Sequence, residues 1–218
     1  VINYLDNKNL GLNFILNTHH HADHIGGNIT LKKRYGCKVV GNKNDADRIP
    51  GIDIFMEEGD QLSIGNSVCS ILEVSGHTNG HISYFFEKDF ALFCGDTLFS
   101  LGCGRLFEGT PSQMVRSLKK IRSLPDDTKI YCAHEYTEAN SRFANYLTPD
   151  DSLLKKKIIE IKEKRSRNIP TIPTILSEEK KLNPFLRFDD KSYLDSIGMD
   201  FMSSSVNFGR IRKLKDQF

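Results

Sequence analysis

No stretch of the 218-residue sequence approaches the roughly 20 apolar residues that a membrane-spanning helix needs, which argues against a membrane partner. The five cysteines (Cys37, Cys69, Cys94, Cys103, Cys132) are odd in number, widely spread and free of any C-x-x-C pair. That excludes a disulfide framework and points to reduced thiols inside a cell. A net charge of +2 is too small to call for nucleic acid. There are no internal repeats and no signal-like segment. The chain begins at Val1 rather than Met, so the natural N-terminus and any targeting signal are expected to lie outside it. The cytoplasm is the default location, with an organelle left open. Histidine is scarce too, at seven residues, and its distribution is far from even.

What remains is ordinary globular composition, 39% hydrophobic and 27% charged, long enough to bury a core. Residues 13–17 (NFILN) form a short apolar run, expected as a buried strand. Gly26-Gly27 allows a sharp turn, and Asn28 is placed to cap a helix through about residue 34. A strand follows at 37–42. Hairpins are expected from 61–65 with 67–74 and from 81–87 with 90–95. Residues 111–124 place Met114, Val115, Leu118 and Ile121 on one helical face behind Pro111. Residues 129–133 form a strand that ends at His134. Near residue 147 the chain changes character. A charged helix over 152–167, striped by Leu154, Ile158 and Ile161, is broken by NIPTIP, and only helical or irregular segments follow.

Four of the seven histidines fall in NTHHHADHIGGN at 17–28: His19, His20, His21 and His24, with Asp23 among them. The others are His77, His81 and His134. Each candidate ligand lies just after an expected strand: His19, His21, Asp23 and His24 after 13–17, His77 after 67–74, Asp96 after 90–95, His134 after 129–133. Loops at one edge of a sheet bring such scattered residues together. Five imidazoles and two carboxylates exceed one tetrahedral zinc site but suit two metals that share a ligand. A carboxylate can bridge, so Asp96 is the natural shared position. Alternation puts His19 and His21 on one side with His20 pointing away, while Asp23 and His24 follow on a tighter turn. Any one of these histidines alone is more often a satisfied surface or core residue; the whole T-H-x-H-x-D-H pattern with its distant partners is much more specific. His20 and His81 read as structural, orienting the ligands. Cys94 and Cys132 adjoin the ligand loops but read as buried packing residues.

THHHADHIGGN resembles the signature of the metallo-β-lactamase superfamily. GHTNGHISYFF, LFCGDTLFSLGCGRLFEGT, YCAHEYT, LNPFLR and the terminal KDQF resemble glyoxalase II, the hydroxyacylglutathione hydrolases, over nearly the whole chain. The resemblance implies an α/β (α+β) fold, the αβ/βα sandwich of two mixed sheets with outer helices, and a helical C-terminal domain. The expected division is a catalytic domain at 1–147 and a helical substrate-binding domain at 148–218. In the family several strands precede the T-H-x-H strand, whereas here 17 residues do, so those strands are expected to lie outside this sequence.

The resemblance also implies that His19, His21 and His77 hold one metal and that Asp23, His24 and His134 hold the other, with Asp96 bridging. The implied activity is hydrolysis of S-(2-hydroxyacyl)glutathione thioesters by hydroxide held between two divalent metals, in methylglyoxal detoxification. Asp23 and Asp96 would orient the hydroxide. Zinc is the expected metal, and the donor set also suits iron or manganese. Glutathione contacts are implied for Arg105, Tyr136, Arg212 and Lys215, cations and a hydroxyl suited to carboxylates. The family's usual lysine is Arg105 here and its usual tyrosine is Phe107, which removes one hydroxyl. Without the resemblance, basic residues near a C-terminus read as a solvated helix end. The nearest rival reading is a single-iron glutathione persulfide dioxygenase. A metal-dependent nuclease would want a broad basic surface with stacking aromatics, which is not evident. No obligate protein partner is inferred.

Overall fold

A computed structural model describes residues 1–218. From the N-terminus, α1 (Ile2–Asn7) leads to β1 (Phe14–Leu16), α2 (Ala22–Ile25), α3 (Asn28–Tyr35), β2 (Lys38–Asn42) and β3 (Ile52–Met56). Next come β4 (Gln61–Ile64), β5 (Ser67–Glu73), β6 (Ile82–Phe86), β7 (Ala91–Gly95) and the short pair β8 (Leu98–Phe99) and β9 (Gly102–Cys103). The rest comprises α4 (Pro111–Arg122), β10 (Lys129–Cys132), α5 (Thr137–Leu147), α6 (Ser152–Ser166), β11 (Thr174–Ile175), α7 (Leu176–Leu182), α8 (Lys191–Ser196) and α9 (Ser204–Gln217).

Strands β1, β2 and β3 pair in parallel as a three-stranded sheet. A six-stranded mixed sheet runs β11-β10-β7-β6-β5-β4, with β7 and β10 parallel and its other neighbours antiparallel. The two sheets meet through Val40, Met56, Cys69, Ile71, Ile82 and Tyr84, all buried. The Tyr84 hydroxyl satisfies itself in that dry layer by donating to the carbonyl of Asn17, 2.8 Å away. A cluster of 21 buried residues, drawn from the six-stranded sheet, α4, α8 and α9, covers the other face. Strand β6, ISYFF, is buried on both faces along most of its length and reads as a near-continuous apolar run.

The start of α4 follows local chemistry. Thr110 accepts from the Gln113 amide, the Gln113 side chain reaches back to Thr110, and Pro111 occupies the first turn. Met114, Val115, Leu118 and Ile121 are buried as expected, each contributing about 1.5–3 kcal/mol of burial free energy. Asn28 departs from expectation. It opens α3 without capping it, because its amide is committed to Asn17 Oδ1 (2.7 Å) and the Pro50 carbonyl. No helix is long and apolar enough to cross a membrane.

Candidate metal centre

Every candidate ligand leaves a strand end on the same side of the sheets. After β1, Asn17 donates to the His24 carbonyl, and Asn28 holds Asn17 in turn, so the histidine-rich loop is closed by two buried asparagines. His21 is the residue before α2, and the single turn that follows swings Asp23 and His24 to a different side. Asp96 follows Gly95, whose φ of 51° and close approach to Thr18 and His81 leave no room for a Cβ. His77 lies between β5 and β6, and His134 two residues beyond β10.

The structure brings all seven side chains together. His21 Nδ1 lies 3.1 Å from His19 Nε2 and 3.0 Å from His77 Nε2. On the other side, His24 Nε2 and His134 Nε2 each stand 3.4 Å from Asp23 Oδ2. Asp96 lies between the two groups: Oδ1 is 3.3 Å from His24, while Oδ2 is 3.3 Å from His134 and 3.6 Å from His77. Ligands bonded to one tetrahedral ion at about 2.0–2.1 Å would lie about 3.3 Å from one another, so the spacing fits shared cations. Two buried atoms, His24 Nε2 and Asp96 Oδ1, have no hydrogen-bond partner, which in a protein interior calls for a ligand. His77 Nδ1 faces the Arg105 carbonyl at 2.8 Å and must donate to it, so Nε2 presents a lone pair to the cluster.

The two remaining histidines take supporting places. His81 Nε2 accepts the Asp96 amide at 3.1 Å, which leaves Nδ1 to donate to the Thr97 hydroxyl. His20 turns away to Asp45 (3.0 Å), a buried carboxylate that also pairs with Arg48. The Cys94 thiol is held well above its ordinary value by burial, and that of Cys132 is pushed up to about 12 for the same reason. Both are thiols at neutral pH, as packing residues should be.

Burial pushes the Asp96 carboxyl up to about 6, with Asp23 adding to the rise and His134 opposing it. It pushes His77 down to about 4, and His19, His21, His24 and His81 also lie below their usual value, burial being the first cause in each. The consequences for the metal-free protein have opposite signs. A raised carboxyl contributes stability that is lost as pH rises through about 6. Depressed imidazoles contribute stability that is lost as pH falls below about 6.5, their unfolded value. Five rings outweigh one carboxyl, so the chelated protein should melt at least about 5 °C lower at pH 5 than at pH 7. Scanning calorimetry checks this, and equal or greater stability at pH 5 would contradict neutral, buried rings.

A cavity of about 630 Å³ opens from His77 and Asp96 toward the C-terminal helices. Of the residues expected at the substrate, Arg105 and Phe107 are exposed on its rim. Tyr136 stacks on His134 at 4.8 Å. Arg212 and Lys215 both face the cavity from α9 but differ in freedom. Arg212 is buried and gives Nη1 to the Cys103 carbonyl (3.0 Å) and Nε and Nη2 to Asp216 (3.1 and 2.9 Å). Lys215 has only the Ala139 carbonyl at 3.4 Å and the rings of Phe143 and Phe218 beneath it. Burial, then Arg212, Arg142 and Arg105, lowers its pKa. Sequence reasoning missed Arg142, Asn140 and Phe218 on the cavity wall. The available signal was spacing: Ala139 and Arg142 stand three apart on the helix that begins beside Tyr136.

A sandwich of a three-stranded parallel sheet, where two mixed sheets were expected, and a six-stranded mixed sheet, with helices outside and a His/Asp cluster at one edge able to hold metal ions, defines a metallo-β-lactamase fold. Residues 2–134 match the family model of the metallo-beta-lactamase superfamily, and residues 135–218 match the hydroxyacylglutathione hydrolase C-terminus. A hydroxyacylglutathione hydrolase of Methylococcus capsulatus is 47% identical over 218 residues, covering all of this chain and 85% of the relative. That of Pelagibacter ubique is 49% identical with the same coverage. The chain belongs to the hydroxyacylglutathione hydrolase family. Among solved structures, ETHE1 from Myxococcus xanthus superposes with a TM-score of 0.66 at 26% identity, over 97% of this chain and 73% of its own. TTHA1623 in a di-iron-bound form gives 0.53 at 26% identity, over 61% of this chain and 75% of its own.

Proposed function

We propose that this protein hydrolyses S-(2-hydroxyacyl)glutathione thioesters, S-D-lactoylglutathione foremost, to glutathione and the hydroxy acid. The observation that carries the reading is one cavity that joins the His/Asp cluster to a cationic wall supplied by the helical region. Residues 1–147 are the catalytic unit in this reading, and 148–218 supply substrate contacts. Full-length relatives named hydroxyacylglutathione hydrolase, at 47–49% identity, favour it over a single-iron persulfide dioxygenase.

His19, His21 and His77 are proposed to hold one divalent cation and Asp23, His24 and His134 a second, with Asp96 shared. Zinc is the first expectation. Such a pair, when bound, supplies a water of lowered pKa and a Lewis acid for a carbonyl oxygen. The protein side of the chemistry is orientation. Asp96 and Asp23 are acceptors on either side of the open face, able to aim a water's hydrogens and take its proton. Glutathione leaves as a thiolate, its thiol pKa near 8.5 being low enough that no acid is required. Its two carboxylates need cations, and Lys215, Arg105 and Arg142 face the cavity. Tyr136 offers a hydroxyl.

Phe107 stands against His21 and His77, with ring centroids 5.4 and 5.3 Å away, and is 63% exposed on the rim. Phe107→Tyr should lower KM for glutathione thioesters about 2- to 5-fold with kcat unchanged, the value of one hydrogen bond. Steady-state kinetics reads the change, and an unaltered KM would show that no substrate acceptor lies there. The function itself is tested by following glutathione release from S-D-lactoylglutathione beside oxygen uptake with glutathione persulfide. Oxygen uptake without thioester hydrolysis would reverse the assignment.

A further inference from the structure

The β8–β9 hairpin links Asp96 to Arg105, is only two residue pairs long, and lies outside both larger sheets. Side chains from α5 and from the helical region beyond residue 147 bond its backbone residue by residue. Asn183 Nδ2 donates to the carbonyls of Phe99 and Gly102, each at 3.0 Å. Asn140 Nδ2 donates to the Ser100 carbonyl at 3.0 Å, and Arg212 to the Cys103 carbonyl at 3.0 Å. Glu179 Oε2 accepts the Leu101 amide at 2.8 Å. Asn183 and Glu179 also bond each other, and all four side chains are buried. Leu101 itself has a φ of 56°, unusual for a branched residue, and is packed with Ala144, Leu154 and Ile161 of α5 and α6. A Cβ on Gly102 would collide with the Asn140 amide, so the fit is close. Five successive backbone groups are thus fixed by partners 40 to 109 residues away.

The two ends of this hairpin bear on the cluster. At its base the Gly104 amide donates to the Thr97 carbonyl, and Gly104 sits so close to the Asp96 carbonyl and His77 Nδ1 that no Cβ fits. One residue on, the Arg105 carbonyl is the acceptor that fixes the His77 ring. The tip is gripped by helices, and the base sets His77 of the first group and Asp96, which lies between the two groups.

We infer that Asn140, Glu179, Asn183 and Arg212 are positioning residues for the metal centre, so that the helical region shapes the placement of Asp96 and His77 as well as contacting substrate. The inference rests on the binuclear reading above. Groups that orient metal ligands typically cost 10- to 100-fold in affinity or activity when removed.

The test compares full-length wild type, Asn183→Ala, Asn140→Ala and Leu194→Ala. Leu194 is a buried core residue of α8 with no hydrogen bond to the hairpin, and serves as a destabilised control. Zinc affinity is measured by competition with a chromophoric chelator, beside melting temperature, kcat and KM. Both asparagine variants should bind the weaker of two zinc ions about 10- to 100-fold less tightly and lose about tenfold in kcat, with a smaller change in KM. Leu194→Ala should melt earlier yet keep wild-type zinc affinity and kcat below its transition. Should Asn183→Ala fail to fold, Asn140→Ala decides alone. Wild-type zinc affinity and kcat in the folded asparagine variants would overturn the inference, as would zinc loss that follows melting temperature in Leu194→Ala. Failure of wild type to take up two zinc ions would instead refute the binuclear reading, and the inference with it.

Discussion

Asp96→Ala should reduce kcat by at least about 10³-fold, roughly 4 kcal/mol of barrier, while the protein stays folded. The reasoning starts from position. Asp96 is the one candidate whose two oxygens face both histidine groups, 3.3 Å from His24 and His134 and 3.6 Å from His77. Its buried Oδ1 has no hydrogen-bond partner within the protein, and Oδ2 faces His134, a partly exposed ring that water can reach, so removing the side chain strands no buried donor. Folding should therefore survive. Removing a carboxyl that burial has pushed up to about 6 even relieves a cost of the metal-free state at neutral pH. On the proposed ligand set, what is lost is the shared anionic ligand, and with it the second cation. Asp96→Asn keeps the shape without the charge and should fall between the two. Elemental analysis beside kcat and a thermal melt separates these effects. Two metals per chain and wild-type turnover in Asp96→Ala would remove Asp96 from its proposed role.

The sequence was informative wherever the determining physics is local. Pro111 announced the start of α4, and the capping box of Thr110 and Gln113 that the structure adds there is built within the same four residues. The T-H-x-H-x-D-H run was legible for a related reason: a strand end followed by one helical turn fixes which side chains diverge, and α2 does this. Strand β3 escaped notice, since its short alternation, Ile52 to Met56, acquires meaning only when β2 lies beside it. Asn28 was misplaced as a cap because its partners, Asn17 and Pro50, are distant in sequence. Glu179 and Asn183 were invisible for the same cause. A polar residue on a helix or at its end reads as solvated surface, and only contacts 78 to 84 residues away make them buried acceptors and donors. Arg212 was expected to contact glutathione, and nothing in its neighbourhood of the sequence announced that its guanidinium is committed to Cys103 and Asp216.

That commitment gives the two cations of α9 different signatures. Lys215→Ala should raise KM for glutathione thioesters about 10- to 100-fold at nearly constant kcat, since a charge-assisted hydrogen bond carries about 1.5–3 kcal/mol. Lys215 is half-buried, loosely bonded, and held below its usual pKa by burial and by three arginines. A carboxylate brought to it would offset the burial and the like charges that disfavour its ammonium form, so binding should gain more than an exposed surface pair, worth at most about 1 kcal/mol. Arg212→Ala should raise KM as well, but it also strands the Cys103 carbonyl and releases Asp216 beside Arg105, 3.8 Å away. Its melting temperature should therefore fall by several degrees, an unpaired buried carbonyl costing about 1–3 kcal/mol, whereas that of Lys215→Ala should not. Inhibition by glutathione separates binding from chemistry: Ki should rise in step with KM for Lys215→Ala. A Lys215→Ala enzyme with unchanged KM and Ki would place the substrate carboxylates elsewhere on the cavity wall, with Arg142 and Arg105 the cations left to receive them.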